Sequence, residues 1–301
     1  MQVNPHEISI ITFNTLGTPF LRGHQKRNYL KLTYFLLRRF KKLSQVLNDS
    51  GADVIALQEV HLYPLLSLLK RRLTNFPYVF YQPFIYGPRG GMVTFSKYPL
   101  VDCQYVDFLK HGSFRNWSFI YKITQNGIMI VRLAESSTYI INTTVSADTD
   151  HNWSPDSQFN SLKTLQMNQL AATINTLSDM QRSVIAVGDF NMVQDSPQYK
   201  HFCAITGAKN IFVNYEIPTQ HADFLPKDIT KIPRLDYIFV KPNHTFSTLE
   251  TKHLFREKVL LGKRSLYLSD HLGLFASVTF HKERKDTIHH LTQPSIMKTV
   301  N

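Results

Sequence analysis

Short apolar runs that finish in a carboxylate or an amide are the feature of this chain that most restricts its fold. In SVIAVGDFNM, residues 183–192, an apolar stretch of strand length is followed at once by Asp189 and Asn191. A lone charge in an apolar interior is costly, so polar residues at the end of a buried strand need a partner or a ligand. Four further runs have polar residues at one end, namely Asn14, Glu59, Asp236, and the pair Asp270 and His271.

The ends of these runs predict one shared pocket, because strand ends that gather at one edge of a sheet bring their side chains together. Asp189 and Asn191 are two residues apart, so a strand would point them the same way. Glu59, Asp270 and the amide of Asn14 offer oxygen ligands, which suit a hard divalent ion, and we expect Mg²⁺ or else Mn²⁺. No Cys/His spacing in the sequence supports zinc.

His271 is the candidate for moving a proton near neutral pH, provided that Asp236 fixes its tautomer. Each candidate also has a structural interpretation. Asn14 suits a strand-end turn and Asp189 an Asx turn, Glu59 suits the first turn of a helix, and the residues before the last strand suit a surface turn. That all of them are structural at once is the weaker hypothesis.

Apolar periodicity predicts a β-rich chain with a few long helices. The Asn-Gly pair at 126 and 127 predicts a hairpin turn before the strand at 128–133. The order of elements favours an α/β fold in which two stacked, mainly antiparallel sheets are flanked by helices. The predicted helices are 29–47, 64–73, 158–177 and 197–206, and the predicted strands are 8–14, 53–59, 78–82, 91–96, 101–106, 117–123, 128–133, 138–145, 183–188, 235–240 and 272–280.

The chain has a formal net charge of +12 over 301 residues, which favours binding to phosphate-bearing polymers or acidic membranes. Much of the excess lies at 26–27, 38–42 and 70–72, in or just before predicted helices, where charge runs usually form a solvated face. We see no signal peptide and no window apolar enough to span a membrane, so we expect a cytoplasmic, monomeric protein. Residues 281–301 are expected to be a disordered polar tail after a catalytic domain at 1–280.

Six motifs resemble those of the endonuclease/exonuclease/phosphatase superfamily, which includes deoxyribonucleases, abasic-site endonucleases, inositol-polyphosphate phosphatases and neutral sphingomyelinases. They are TFNTLG, DVIALQEV, GGMVTFSKYPL, VIAVGDFNM, RLDYIFV and LSDHLGLFASV, in the family's order, and the resemblance covers about residues 8–280. It implies a four-layer αββα sandwich and a metal-dependent phosphodiesterase. The stretch NTLGTPFLRGHQKR is similar to the sphingomyelinase-like branch, which implies a phospholipid substrate.

The resemblance also implies roles for the polar residues. The metal positions are Asn14, Glu59 and Asp270, and the catalytic positions are Asp189, Asn191, Asp236 and His271.

The largest departure from the family lies in IINTTVSAD, residues 140–148, where members typically have Asn-Thr-His-Leu. Asn142 is the expected substrate-binding asparagine, and Thr144 takes the place of the histidine. A threonine hydroxyl can hydrogen-bond a phosphate oxygen but cannot act as an acid near pH 7. Loss of one proton-transfer group typically costs about a hundredfold or more in rate.

Three hypotheses follow. The first is a Mg²⁺-dependent phosphodiesterase that hydrolyses a phospholipid in contact with an acidic membrane, with His271 and Asp189 activating water. The second is a metal-dependent nuclease, which the basic charge favours, although no basic stripe interleaved with aromatic residues lies outside the helices. The third is a weakened or inactive phosphate-binding module, because Thr144 replaces the expected histidine.

Overall fold

Two six-stranded β-sheets, stacked face to face with helices on their outer faces, form the framework of the protein. The computed structural model describes residues 7–17, 26–108, 125–134, 136–147, 154, 156, 157, 159–194, 196–212, 217–227, 229, 231–243 and 245–281. The predicted strand at 117–123 and all but the first residue of the predicted tail therefore lie outside the described residues.

The described helices are α1 (Lys26–Tyr34), α2 (Leu36–Asn48), α3 (Tyr63–Arg72), α4 (Asn160–Asp179) and α5 (Pro197–Thr206). The described strands are β1 (Glu7–Asn14), β2 (Val54–Gln58), β3 (Tyr78–Phe80), β4 (Val93–Ser96), β5 (Leu100–Asp107), β6 (Gly127–Leu133), β7 (Thr138–Thr144), β8 (Ser183–Asp189), β9 (Lys209–Asn210), β10 (Asp236–Lys241), β11 (Phe246–Leu254), β12 (Val259–Leu261), β13 (Arg264–Leu266) and β14 (Gly273–Phe280).

Each sheet has one parallel strand pair near its middle. The first sheet has the order β11-β14-β1-β2-β4-β3 and the second the order β5-β6-β7-β8-β10-β9, while β12 and β13 form a separate hairpin. β1 pairs with β2 and β7 with β8 in parallel, and the other pairs are antiparallel. The predicted α/β class and the four-layer sandwich of mainly antiparallel sheets are confirmed.

Alternation along the strands divides their side chains between two layers, because successive residues point to opposite faces of a sheet. One set fills the space between the sheets, and the intervening residues pack on α2 and α3 in the first sheet and on α4 and α5 in the second. The polar residues that end or begin these strands follow the same period of two, so several of them face the space between the sheets. The inner apolar set includes Ile8, Ile10, Val54, Ala56, Ile185, Val187, Ile238 and Val240.

Several features differ from the sequence prediction, and the short strands β9, β12 and β13 were not predicted. The helix predicted at 29–47 is two helices, because the backbone leaves helical geometry at Phe35 (φ −94°, ψ 15°). The hairpin predicted from Asn-Gly is wrong, since β5 and β7 already occupy both edges of β6. β11 was missed because most of its side chains are exposed and it lacks an apolar pattern. No helix within the described ranges is long and apolar enough to cross a bilayer.

Candidate active site

Polar side chains from both sheets meet at the edge of the sandwich where the two parallel strand pairs end. Asn14 lies beside Gln58 in the first sheet, and Asp189 lies between Thr144 and Asp236 in the second. β10 runs antiparallel to β8, so Asp236 begins its strand where Asp189 ends the neighbouring one. The period of two and the strand register thus place these five residues at one end of the space between the sheets.

The amide of Asn14 links carboxylates from two elements. Its Nδ2 donates to Glu59 Oε1 and to Asp189 Oδ2, at 3.1 Å each, and its Oδ1 accepts from the backbone N–H of Leu16 at 3.1 Å. All three polar side chains are buried. Asn14 therefore holds an acid of the first sheet beside an acid of the second.

Gly188 allows β7 and β8 to approach directly below Asp189. Its φ is +140°, and a Cβ atom here would lie 1.9 Å from the carbonyl oxygen of Thr143. Any larger residue would push the two strands apart. The close approach of Thr143 thus explains why the motif VIAVGDFNM has a glycine at this position.

His271 and Asp236 form a buried pair next to these acids. His271 Nδ1 lies 2.8 Å from Asp236 Oδ2, which fixes the ring with Nε2 directed away from Asp236. Nε2 lies 3.3 Å from the amide nitrogen of Gln220. The hydroxyl of Ser269 donates to the Asn14 carbonyl at 2.7 Å and accepts from the His271 backbone N–H at 3.2 Å, so the segment before β14 is tied to the end of β1.

The crowding of acids changes the protonation of both groups that face it. Burial, followed by the charge of Asp236, raises the pKa of Asp189 to about 7. Burial opposes the imidazolium form of His271, but the carboxylates of Asp236, Asp270 and Asp189 outweigh it and raise the pKa of His271 to about 10. The pocket therefore favours a bound cation or proton, which neutralises part of the negative charge.

Comparison with known proteins assigns the chain to a family. The sequence model of the Endonuclease/Exonuclease/phosphatase family matches residues 11–271, a range that includes every candidate site residue. The chain belongs to this family. Endonuclease/exonuclease/phosphatase proteins are divalent-metal-dependent hydrolases that act on phosphoester bonds, and this chain is a hydrolase of that kind.

Solved structures of the family share the fold at low sequence identity. SmcL aligns over 91% of this chain and 99% of its own, with 17% identity and a TM-score of 0.66. D. rerio TDP2 in complex with a single-strand DNA product aligns over 91% of this chain and 99% of its own, with 16% identity and a TM-score of 0.65. Sphingomyelinase C from Streptomyces griseocarneus aligns over 90% of this chain and 99% of its own, with 18% identity and a TM-score of 0.63. No curated protein sequence matches the chain at a significant level.

The donors at this edge fit the divalent ion on which the family depends. Carboxylate oxygens of Glu59 and Asp189 converge on the Asn14 amide, and the carboxylate of Asp270 shares the electrostatic environment of His271. Hard oxygen donors of this type suit Mg²⁺ and Mn²⁺. One ligand atom from each of Asp189, Asp236 and His271 also lies within 4.8 Å of the others, so a second donor set overlaps the first.

Arg39 is a buried residue of the site that the sequence analysis missed. It lies in the basic run at 38–42, for which a solvated helix face was expected, and that interpretation is wrong for this side chain. Arg39 is only 1% exposed, and it occupies the apolar stripe of α2 beside Phe40 and Leu43. The helical spacing of those two buried residues is the signal that could have identified it.

The guanidinium of Arg39 holds together segments that carry the candidate metal ligands. It donates to the carbonyls of Thr15 (3.1 Å) and Leu16 (2.8 Å) after β1, and to that of Leu268 before Asp270. Burial lowers the pKa of Arg39 to about 10, although the carboxylates of Asp270 and Glu59 act in the opposite direction. One cation thus lies close to both predicted metal-binding acids.

A second buried cation, Lys163 of α4, supports the other sheet. Its Nζ donates to the carbonyl of Asn191. One turn further along α4, Gln166 bonds both the backbone N–H and the hydroxyl of Ser146, at 2.9 Å each. The loops that follow β7 and β8 are therefore fixed from the same helix.

The two residues of β7 that were expected to bind substrate, Asn142 and Thr144, have different surroundings. The amide of Asn142 bonds Gln58 Nε2 (2.7 Å), the Leu57 carbonyl (3.1 Å) and the Val93 carbonyl (3.4 Å). This buried amide connects the two sheets, and substrate binding by Asn142 stays a prediction. The hydroxyl of Thr144, by contrast, is buried and has no hydrogen-bond partner among the described residues.

Asn191 does not point off a strand beside Asp189, because β8 ends at Asp189 and Asn191 has a left-handed backbone (φ 47°). Its N–H donates to Asp189 Oδ1 at 3.0 Å, which is the Asx turn considered as the alternative, and its Nδ2 donates to the Val145 carbonyl at 2.8 Å. Glu59 also has a left-handed backbone (φ 60°). Such strain costs on the order of 1 kcal/mol and often accompanies functional sites.

Proposed function

We propose that the protein is a Mg²⁺-dependent phosphodiesterase that hydrolyses a phospholipid, similar in chemistry to sphingomyelinases, with Mn²⁺ as a substitute ion. The observation that carries the proposal is the meeting of Glu59, Asp189 and the His271–Asp236 pair at one edge of the sandwich. SmcL and sphingomyelinase C share the fold over nearly their whole length, which supports the choice of substrate.

Glu59 and Asp270 would hold the ion together with the amide of Asn14, whose Nδ2 also keeps two acids in register. When bound, the ion supplies charge neutralisation at a phosphoryl oxygen. Arg39 fixes the backbone on either side of these ligands, so the acids keep their spacing without the ion.

Asp189, whose raised pKa makes it a stronger base than an ordinary carboxylate, would take the proton from the attacking water while a new P–O bond forms and the ester P–O bond breaks. His271, which its raised pKa keeps protonated, would give a proton to the leaving oxygen, so that an alcohol is released. Asp236 holds the ring through Nδ1, so proton transfer occurs at Nε2. The unpartnered hydroxyl of Thr144 would donate to a phosphate oxygen. The side-chain amide of Asn191 bonds the Val145 carbonyl, so Asn191 would position the phosphate indirectly, by holding the backbone after β8.

Glu59→Ala and His271→Ala test the assignment. Each is expected to reduce hydrolysis of sphingomyelin and of bis-p-nitrophenyl phosphate by at least about a hundredfold, because each removes a group that acts in the transition state. Glu257→Ala and His201→Ala, at exposed positions, are the matched controls. Retained activity in either site variant would defeat the proposal.

Metal binding is measured separately through stability. Saturating Mg²⁺, at about a hundredfold its dissociation constant, is expected to stabilise the wild type by about 2.7 kcal/mol, because a ligand that binds only the folded state shifts the unfolding equilibrium. Glu59→Ala should lose this gain, and Glu257→Ala should keep it. A gain of equal size in all three proteins would place the ion elsewhere.

A nuclease is the second candidate, because the net charge of +12 favours nucleic acid and D. rerio TDP2 was solved with a single-strand DNA product. Nicking of plasmid DNA that needs Mg²⁺, stops with chelator and exceeds lipid hydrolysis would favour it. A phosphate-binding module with weak or no turnover is the third, motivated by Thr144. Binding of phosphate esters without hydrolysis would support this last reading. Cytoplasmic location and a monomeric state stay predictions.

A further inference from the structure

A groove of about 630 Å³ lies between the helix pair α1–α2 and the β12–β13 hairpin. One wall presents residues at helical spacing, and the other is the turn of the hairpin. The helical wall consists of Leu30, Lys31, Tyr34, Phe35 and Arg38, and the hairpin wall of Lys263 and Arg264. We call this surface the cationic groove.

Two arginines of the cationic groove are held by one aromatic ring. The guanidinium carbons of Arg38 and Arg264 lie 5.6 and 5.9 Å from the centre of the Phe35 ring. Gly262 makes room for this arrangement, because it has a left-handed backbone (φ +68°) and a Cβ atom there would lie 2.9 Å from Arg38 Nη1. The ring therefore attracts both charges to the same part of the groove.

The positive charge of the cationic groove is not neutralised by the described residues that line it. None of the described residues that line it is acidic, whereas four of them are cations. On the neighbouring segments, Asp223 already pairs with Lys258 at 2.9 Å, and Glu257 is exposed. Four cations held around one concave surface repel one another, so an anion that enters it gains from all of them.

Apolar side chains at the same place narrow the choice of anion. Tyr34 is 84% exposed and Leu30 is 50% exposed, beside the cations. An aromatic residue and an aliphatic residue among Lys and Arg suit the boundary between lipid head groups and acyl chains. Nucleic acid would use the cations but would gain little from an exposed leucine, since it binds through phosphates and base stacking.

We propose that the cationic groove docks the protein on an anionic phospholipid surface. Lipid phosphates would lie among Lys31, Arg38, Lys263 and Arg264, while Tyr34 and Leu30 would enter the acyl boundary. The role of this contact rests on the phospholipid substrate proposed above, whereas the contact itself needs no hydrolysis.

The helix α1 links the cationic groove to the segment that follows β1. On another face of α1, Leu32 packs in one apolar cluster with Leu16, which follows Asn14 by two residues, and with Phe224. Docking through α1 would therefore bring the strand ends of the site close to the membrane.

Vesicle co-sedimentation in the presence of chelator tests the proposal without catalysis. Wild-type protein is expected to bind phosphatidylcholine vesicles that contain phosphatidylserine and to leave pure phosphatidylcholine vesicles unbound. The double variant Arg38→Gln/Arg264→Gln should bind about thirtyfold more weakly, because each basic residue near an anionic surface contributes about 1 kcal/mol. Lys70→Gln/Arg71→Gln is the matched control, since it removes the same charge from exposed positions of α3.

A second pair of variants tests the apolar contribution. Tyr34→Ser should weaken binding to the anionic vesicles several-fold, whereas Tyr86→Ser, at another exposed tyrosine, should not. Hydrolysis of bis-p-nitrophenyl phosphate should be unchanged in all four variants, which separates a failure of docking from a failure of the proposed chemistry. The proposal would be overturned if the two control variants lost as much binding as the groove variants, or if the wild type did not bind. Displacement of the wild type from vesicles by an excess of duplex DNA would also overturn it.

Discussion

Two buried cations support the two halves of the candidate site, and they do so differently. Arg39 of α2 bonds carbonyls from the segments after β1 and before β14, on the half that carries Glu59 and Asp270. Lys163 of α4 bonds the carbonyl of Asn191 after β8, on the half that carries Asp189. A guanidinium presents several N–H donors in a fixed plane, whereas an ammonium is a point charge on a flexible chain.

The difference teaches where rigidity is needed. In the proposed function the first half keeps two acids of separate segments at the spacing of a metal ion, and a planar group with several donors can join separate segments. The second half already has its acids in strand register, since Asp189 lies directly opposite Asp236. A weaker support is enough there, because the sheet itself sets the spacing.

The largest effect is expected for Arg39→Met. It should lower the free energy of unfolding by about 4 kcal/mol, because several buried carbonyls lose their donor and each costs about 1–3 kcal/mol. Urea unfolding measures the change. Arg38→Met, one residue earlier and exposed, should stay within about 0.5 kcal/mol.

Arg39→Lys sharpens the same test, since it keeps the charge and loses the planar fork. If position matters more than charge, the lysine variant should lose most of the Mg²⁺-induced gain in stability although it remains folded. A lysine variant with wild-type metal binding would contradict the comparison.

A smaller loss, about 1–2 kcal/mol, is expected for Lys163→Met. One carbonyl loses its donor, but the cost of burying an ammonium also disappears, which offsets part of the loss. Lys200→Met, at an exposed position of α5, is the control. A loss as large as that of Arg39→Met, measured in the same urea series, would show that both halves depend equally on their cation.

The smallest effect concerns the second half alone. Thr144→His should raise the turnover of bis-p-nitrophenyl phosphate about tenfold, or about 1.4 kcal/mol, because it restores a proton-transfer group beside Asp189. The gain should appear in kcat rather than in KM. An unchanged kcat with bound substrate would mean that the site works without a group at this position.

Much of the site was predictable because it depends on local rules. Strand ends were visible as apolar runs, and the expectation that such ends gather at one edge brought Asn14, Asp189 and Asp236 into one predicted pocket without knowledge of the fold. Asn191 was predicted wrongly by the period of two, since the strand stops before it and the backbone turns left-handed. The prediction failed where the regular element ended.

The support of the site was not predictable from charge and composition. Arg39 and Lys163 were hidden because a cation in a helix is usually solvated, and only the packing of α2 and α4 on the sheets brings backbone carbonyls within reach. The structural contacts of Asn142 were also hidden, because a partner for its amide, Gln58, lies 84 residues away.

The amino-acid sequence by itself determined the buried strands and the polar residues at their ends, because these follow from the hydrophobic pattern of neighbours along the chain. Only the tertiary structure decided which of these polar groups face one another, which cations are buried beneath them and which remain exposed on the cationic groove. Those outcomes depend on contacts between distant segments, and no local pattern records which carbonyl or carboxylate a side chain will meet.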